Sequence, residues 1–230
     1  LYIDRRSTDE VGLFGSTGSS GSVSNVHLKN VSVDGRNDVG ALVGDTSGQI
    51  DGSSATGNVT GRNRVGGLIG NMGSETVSNS YADVSVEGDT HVGGFIGEAN
   101  EDGGTILGSF ARGPVSGDRD VGGFVGQAGK YADSSLRHPF FDPDDEGSDS
   151  SCDAPRGWSL RYVDFREFSP YIDKKNPVII SDSYASGEVT NGAGFIGRGG
   201  EVEITSSLTA DNSIPFVGSS NTKVSKQNKC

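Results

Sequence analysis

Hydrophobic residues recur along the chain with a period of about 27 residues. A short apolar element flanked by glycines appears in seven copies, and the copies that begin with Val are 28, 26, 27 and 29 residues apart. The copies are VGLFG from Val11, VGALVG from Val39, VGGLIG from Val65, VGGFIG from Val92, VGGFVG from Val121, GAGFIG from Gly192 and PFVG from Pro215. Self-similarity at this period is typical of repeat architectures.

Two further segments keep register with the glycine-flanked element. One is centred on an aliphatic residue in each repeat, and the other reads NVSVDG, GNVTG, DVSVEG, GPVSG and GEVTN. Gly, Asn, Asp and Ser separate the segments, as expected of turns between short strands. The sequence therefore predicts an all-β β-solenoid (β-helix) of about seven coils, with three short strands per coil and one irregular side insertion. The aliphatic column is Val23, Ile50, Val77, Ile106, Ile180 and Ile204.

Each glycine-flanked element carries two adjacent apolar positions, for example Phe95 and Ile96. Neighbouring residues of a strand point to opposite faces, so both can face the interior only if the chain bends between them. The flanking glycines leave room for a corner or for a close backbone approach. The pattern leaves open which of the two columns is interior.

The period breaks between the fifth and sixth copies. We expect solenoid coils over residues 1–129, an insertion over 130–177 packed on the solenoid, further coils over 178–218 and a tail over 219–230. Insertions in a solenoid lie on its surface and commonly form its binding face. The aromatic residues of the insertion form either a small local core or a carbohydrate-stacking platform. They are Phe140, Phe141, Trp158, Tyr162, Phe165, Phe168 and Tyr171.

An acidic run in the insertion has the spacing of a calcium loop. Carboxylates stand at positions 1, 3, 5 and 12 and a Gly at position 6, although a bidentate Glu is usual at position 12 and no helical pattern flanks the run. The candidate ligands are Asp142, Asp144, Glu146, Asp149 and Asp153. The alternative is an acidic loop that is exposed to solvent and binds no metal. Calcium is therefore a candidate ion, and the sequence predicts no other cofactor.

Composition and charge narrow the class of protein. The chain has 37 Gly, 32% hydrophobic residues and a formal net charge of −12, with a pI near 4.6. The glycine content and the absence of a helical apolar stripe argue against a helical protein, and no apolar stretch is long enough for a membrane span. A strongly acidic chain is not expected to bind nucleic acid or anionic membranes. The excess of Asp over Glu and Lys is typical either of proteins that stay soluble in high salt or of repeat proteins with Asp-rich turns.

The sequence gives candidates for three covalent modifications: a disulfide, glycosylation and proteolytic processing. Cys152 and Cys230 form either one disulfide or two free thiols. Asn30 and Asn58 begin N-x-Ser/Thr sequons and are candidate glycosylation sites on an exported chain. Because the chain starts at Leu1 without a visible signal peptide, we expect a processed product or a fragment.

No catalytic residue is predicted. Glycoside chemistry needs two positioned carboxyl groups. Most acidic residues here fall at repeat boundaries, where turn formation and solubility explain them. Examples are Asp38, Asp45, Asp89, Asp118 and Asp120. No HExxH or GxSxG motif occurs.

The recurring V-G-G-[LF]-[IV]-G element resembles the GLUG motif over residues 11–129 and 178–218. Proteins with tandem GLUG motifs are secreted or attached to the surface of bacteria and archaea, and many are adhesin-like. The resemblance implies an extracellular or cell-surface location and a β-solenoid stalk or binding module.

Three functional hypotheses follow. The first is an adhesin-like binding module that recognises a glycan or a cell-surface protein through residues 130–176. The second is a subunit of an extracellular filament or cell-envelope layer that joins copies of itself end to end, since solenoid ends expose unpaired strand edges. The third is a carbohydrate-active β-helix enzyme. We expect a non-enzymatic module.

Overall fold

The computed structural model of the chain describes residues 1–100, 103–129 and 177–200 in full, and four further strands between residues 202 and 224. All of these residues belong to one compact unit, built from residues 1–132 and 175–230. Every described element is a β-strand. The described part of the chain contains no helix with the length and hydropathy of a membrane span.

The strands are short and follow one another around the solenoid. In chain order they are β1 (Tyr2–Asp4), β2 (Phe14–Thr17), β3 (Ser22–Ser24), β4 (His27–Asp34), β5 (Asn37–Gly40), β6 (Val43–Thr46), β7 (Gln49–Asp51), β8 (Ser54–Thr60), β9 (Asn63–Gly66), β10 (Ile69–Met72), β11 (Thr76–Ser78), β12 (Tyr81–Glu87), β13 (Thr90–Gly93), β14 (Ile96–Ala99), β15 (Thr105–Leu107), β16 (Phe110–Ala111), β17 (Val115–Ser116), β18 (Arg119–Gly122), β19 (Val125–Ala128), β20 (Val178–Ser181), β21 (Tyr184–Ala185), β22 (Val189–Thr190), β23 (Ile196–Gly199), β24 (Val202–Thr205), β25 (Leu208–Thr209), β26 (Val217–Ser220) and β27 (Lys223–Val224).

These strands form four sheets in which every described pair is parallel. Sheet 1 has the order β1-β4-β8-β12-β16-β21-β25 and includes β17 and β22; sheet 2 is β5-β9-β13-β18; sheet 3 is β2-β6-β10-β14-β19-β23-β26; sheet 4 is β3-β7-β11-β15-β20-β24-β27. The chain passes through the sheets in that order and then starts the next coil. Equivalent residues of successive repeats pair directly, as Val77 does with Ile50 and Ile106. The all-β solenoid expected from the repeats is confirmed.

The number of strands per coil differs from the expectation. A complete coil has four strands instead of three, because the glycine-flanked element contributes the end of one strand and the start of the next. The solenoid has about five coils, and the expected seven are not confirmed. Among the described residues, sheet 2 has four strands, and single bridges between Val11 and Val39 and between Gly122 and Ala193 extend it by one position at each end.

The bend within the glycine-flanked element explains the fourth strand. In VGGFIG from Val92, β13 ends at Gly93 and β14 begins at Ile96. A Cβ atom on Gly93 would lie 1.9 Å from the carbonyl oxygen of Ile96, so no larger residue fits this corner. Phe95 and Ile96 are both fully buried. Both apolar columns are therefore interior, with the corner between them.

Stacking continues through the core. The rings of Phe95, Phe124 and Phe195 stack with centroids 5.1 and 4.8 Å apart. A buried serine column satisfies its own polar groups: Ser80 Oγ accepts a hydrogen bond from the backbone N–H of Ser53 at 3.0 Å and donates to the carbonyl of Ser78 at 2.7 Å. The interior of the solenoid is thus filled by side chains that repeat from coil to coil.

Replacing Gly93 with alanine is expected to lower the free energy of unfolding by more than about 2 kcal/mol, because the new methyl group meets backbone atoms that cannot move away. Gly18→Ala is the matched control, since a Cβ atom there has no neighbour within 4 Å. Chemical denaturation of both variants measures the difference. Equal effects of the two substitutions would contradict the corner geometry.

Candidate functional site: a corner groove and a charge ladder

A groove of about 680 Å³ follows the corner where the chain passes from sheet 1 to sheet 2. It extends across successive coils, from Arg6 near the N-terminus to Asn191. We call it the corner groove. Its lining residues are Arg6, Asp34, Gly35, Thr60, Gly61, Arg62, Glu87, Gly88, Asp89, Ser116, Gly117, Asp118 and Asn191.

The floor of the corner groove is a column of four glycines, Gly35, Gly61, Gly88 and Gly117, that ends at Asn191. A Cβ atom on Gly88 would lie 2.9 Å from Val65 Cγ2 and 3.0 Å from Val92 Cγ2. The glycine therefore lets the backbone lie directly on the buried valine column of sheet 2. Without side chains on its floor, the corner stays concave.

Backbone groups along the floor are already paired between coils. The N–H of Gly61 donates to the carbonyl of Glu87 at 3.0 Å, and that of Gly88 donates to Ser116 at 3.1 Å. On the other wall, the N–H of Asp89 donates to the carbonyl of Arg62 at 2.8 Å. The groups left to contact a ligand are therefore the side chains of the two walls.

The walls carry charges that are paired at one end of the groove and unpaired at the other. Arg6 bridges Asp34 at 2.6 Å and Asp4 at 3.3 Å. Further along, Glu87, Asp89 and Asp118 have no cation within ion-pair distance among the described residues. Arg62 likewise has no carboxylate partner in the described part of the chain, and the hydroxyls of Thr60 and Ser116 stand between the acidic positions. This end of the groove presents several acceptors and one free guanidinium to solvent.

A second concentration of ionisable groups lies half-buried at the corner between sheets 2 and 3. Arg64 forms a bidentate ion pair with Asp38, which is 8% exposed, and its Nε lies 3.9 Å from Glu98. His91 contacts Glu98 at 3.4 Å and Asp120 at 3.2 Å. Along sheet 2, the cations Arg64 and His91 stand in adjacent coils, and Glu98 of sheet 3 lies within 4 Å of both. We call these residues, with Arg198 at 3.7 Å from Asp120, the charge ladder.

His91 holds its proton because of its two acidic neighbours. Burial alone lowers the pKa of His91, but hydrogen bonds and charge interactions with Asp120 and Glu98 outweigh burial and raise the pKa from 6.5 to about 9. The hydrogen bond from His91 in turn lowers the pKa of Asp120 against the effect of its burial. The protonated imidazole therefore contributes a positive charge to the charge ladder at neutral pH.

An aromatic column stands on the outer face of sheet 1. Tyr81, Phe110 and Tyr184 stack with centroids 4.8 and 4.9 Å apart and nearly parallel rings. Arg112 lies over Phe110 at 4.7 Å and donates to the Tyr184 hydroxyl at 2.7 Å. Because the rings cover one another, most of their faces are not available for stacking on a sugar.

The candidate calcium ligands Asp142, Asp144, Glu146, Asp149 and Asp153 lie outside the described residues, as do Cys152, Cys230 and the aromatic residues of the insertion. Calcium binding and the disulfide therefore stay predictions. Within the described ranges, no group of three or more His, Cys, Asp or Glu side chains is placed to hold a metal ion.

Both sequons lie on sheet 1 with exposed asparagine side chains. Asn30 lies within the irregularity between Leu28 and Val31 in the pairing of β4 with β8 and has a φ of 51°. Asn58 lies within β8, opposite Ser32 and Ser85 of the neighbouring coils. Glycosylation at these two positions stays a prediction.

Sequence reasoning missed both the corner groove and the charge ladder. Asp38 and Asp120 were assigned to turns, whereas they lie in β5 and β18 and pair with cations of the adjacent coil. An alignment of the repeats with one another would have indicated the charge ladder. In the five copies of the glycine-flanked element that begin with Val, the preceding residues all have a positive φ, and two cations stand among three acidic residues. They are Glu10, Asp38, Arg64, His91 and Asp120.

Stability is expected to fall as pH rises from about 6.5 to about 9, because a raised pKa in the folded state stabilises the protein only while His91 is protonated. The stabilisation is fully present below pH 6.5 and is on the order of 2 kcal/mol, given the partial exposure of the site. His91→Gln should remove this pH dependence in thermal unfolding, with His27→Gln as the exposed control. An unchanged pH profile in His91→Gln would show that the ladder does not hold the proton.

Comparison with known proteins gives one partial match. The chain is 47% identical over 60 residues, 26% of its length, to the protein named Halomucin from Haloquadratum walsbyi. The match covers 1% of Halomucin, so the chain spans only a small part of the curated relative that it matches. No family model matches the chain. No solved structure matches it either.

Proposed function

We propose that the chain is a non-enzymatic module of an extracellular surface and that its solenoid binds a neutral glycan along the corner groove. The observation that carries this proposal is a group of charged side chains in that groove, spread over three successive coils, that have no ion-pair partner among the described residues. They are Arg62, Glu87, Asp89 and Asp118. A polymer with a repeating set of hydroxyl groups can use such a row at several coils at once.

The chemistry of the walls favours hydroxyl-rich, uncharged sugars. Ionised carboxylates accept hydrogen bonds only, and the guanidinium of Arg62 donates them, so together they serve the donors and acceptors of sugar hydroxyls. The carboxylates of Glu87, Asp89 and Asp118 repel an anionic polymer such as a polyuronate. A neutral glycan is therefore the partner that the groove fits best.

A surface location is supported by a sequence resemblance and by a partial match. The glycine-flanked element resembles the GLUG motif of secreted and surface-attached proteins. The matched relative, over 26% of this chain, is named Halomucin. The acidic composition also suits a chain that works in high salt.

The non-enzymatic assignment rests on how the acidic groups are placed. Glycoside hydrolysis needs a general acid with a raised pKa close to a second carboxylate. Burial, together with the negative charge of Asp45, raises the pKa of Glu75 to about 7, but Glu75 lies in the turn after β10, between sheets 3 and 4, and does not line the corner groove. It accepts a hydrogen bond from the backbone N–H of Gly73 at 3.0 Å, so it stabilises that turn.

Binding to immobilised neutral polysaccharides and to alginate tests the proposal. We expect binding to a neutral polymer and none to alginate, and the double variant Glu87→Gln/Asp89→Asn should weaken binding at least about fivefold, because each lost charged acceptor contributes about 1 kcal/mol or more. Asp83→Asn, on β12 but outside the groove, is the matched control. Undiminished binding by the double variant would exclude the groove as the binding region and leave the insertion. Turnover of any polysaccharide would contradict the non-enzymatic assignment.

A further inference from the structure

The wall of the corner groove that sheet 1 provides carries one polar side chain in each of three successive coils. Thr60 pairs with Glu87, and Glu87 pairs with Ser116, in the parallel register of the sheet. Thr60 and Glu87 are exposed, and Ser116 is half-buried. Because neighbouring strands of a sheet lie about 4.8 Å apart, these three side chains start from evenly spaced positions along the solenoid.

The opposite wall repeats at the same spacing. The backbone N–H of Asp89 donates to the carbonyl of Arg62 at 2.8 Å, and the N–H of Asp118 donates to the carbonyl of Asp89 at 3.0 Å. The side chains of these three residues are exposed. Each of the three coils thus presents one side chain from either wall to the same stretch of the groove. The pairs are Thr60 with Arg62, Glu87 with Asp89, and Ser116 with Asp118.

Side chains limit this stretch of the groove at both ends. At one end, Asn191 stands opposite Gly117 in the register of the coils, and its Nδ2 donates to the carbonyl of Gly117 at 3.4 Å. At the other end, the wall carboxylate of Asp34 is already paired with Arg6 at 2.6 Å. The wall charges without an ion-pair partner among the described residues therefore span three coils.

The spacing of the walls matches an extended polysaccharide better than an extended polypeptide. In a polypeptide, side chains on one face recur every second residue, about 6.6 Å apart, so they lose register with the coils by about 2 Å at each step. In an extended chain of equatorially linked pyranoses, each ring advances the chain by nearly the distance between two coils. Successive sugars of such a chain can therefore meet equivalent positions on both walls.

We propose that the corner groove holds an extended, equatorially linked neutral polysaccharide along the solenoid, with one sugar ring at each of three successive coils. This inference rests on the proposed function, and it adds the type of linkage and the number of sugars that the groove recognises. A polymer linked through axial bonds, such as amylose, coils as it extends. Its hydroxyl groups therefore leave the straight row that the walls form.

The central coil determines which sugar fits in the middle. Both side chains there, Glu87 and Asp89, are carboxylates, which accept hydrogen bonds and donate none when ionised. The middle sugar must therefore donate from a free hydroxyl group on each of its two edges. The flanking coils add donors, because the guanidinium of Arg62 and the hydroxyls of Thr60 and Ser116 lie there.

Titration calorimetry with β-1,4-linked gluco- and manno-oligosaccharides of two to six sugars tests the proposal. In at least one series, we expect the affinity to rise at least about fivefold from the disaccharide to the trisaccharide and to change less than about twofold beyond it. The reason is that a fourth sugar meets no further pair of free wall charges in the described coils. Maltotriose, which has an axial linkage, should bind at least about fivefold more weakly than the β-linked trisaccharide.

A variant of one flanking coil tests the assignment of one sugar to each coil. Asp118→Ala removes an acceptor of the third coil, so the trisaccharide should bind no more than about twofold more tightly than the disaccharide. Affinity for the disaccharide should stay unchanged, because two coils remain intact. Asp83→Ala, on β12 but outside the groove, is the matched control, and an unchanged melting temperature shows that each variant is folded.

The outcomes separate this inference from the proposed function. Binding to an immobilised neutral polysaccharide with equal affinities for the disaccharide and the trisaccharide in both series would overturn the inference alone. Tighter binding of maltotriose, or a difference between disaccharide and trisaccharide that survives in Asp118→Ala, would also overturn it and leave the proposed function standing. Failure to bind any neutral polysaccharide would overturn both.

Discussion

In-register hydrogen bonding between equivalent residues of successive coils is the constraint on which the structure depends. Each residue in a strand is placed about 4.8 Å from its counterpart in the next repeat, so every side chain must be compatible with a copy of itself or a near relative. Valine, isoleucine and phenylalanine satisfy this requirement by packing in columns. Serine satisfies it by donating to the carbonyl two residues earlier in the same coil and accepting from a backbone N–H of the preceding coil.

The stacking of equivalent residues has different consequences for buried and for exposed charged side chains. Like charges one coil apart repel strongly where water is excluded. In the half-buried charge ladder, the neighbouring cations Arg64 and His91 share the carboxylate of Glu98, and each also contacts an aspartate, Asp38 or Asp120. In the open corner groove, water screens the charges, and acidic residues stand in adjacent coils without cations. The charges of the ladder are therefore used for stability, whereas those of the groove remain available to a partner.

The repeat pattern was sufficient to predict the solenoid and the residues that stack, because the period and the hydrogen-bonded columns are the same feature. It left the corner as one of two alternatives. The glycines of VGGFIG from Val92 allow either a corner or a close backbone approach, and the contact that a Cβ atom on Gly93 would make with Ile96 shows that the chain turns there. The corner groove was missed for a related reason: Asp89 and Asp118 look like ordinary turn residues until the coils bring them into one line.

Hydrogen exchange of the corner amides tests the central claim most directly. The N–H groups of Leu42, Leu68, Phe95 and Phe124 each donate to a carbonyl of the next coil at 2.9 to 3.0 Å. The account predicts that these four amides are among the slowest to exchange, with the 26- to 29-residue spacing of the repeats. Fast exchange at these amides, with protection confined to the strands on either side, would show that the corner is not hydrogen-bonded between coils and would contradict the account.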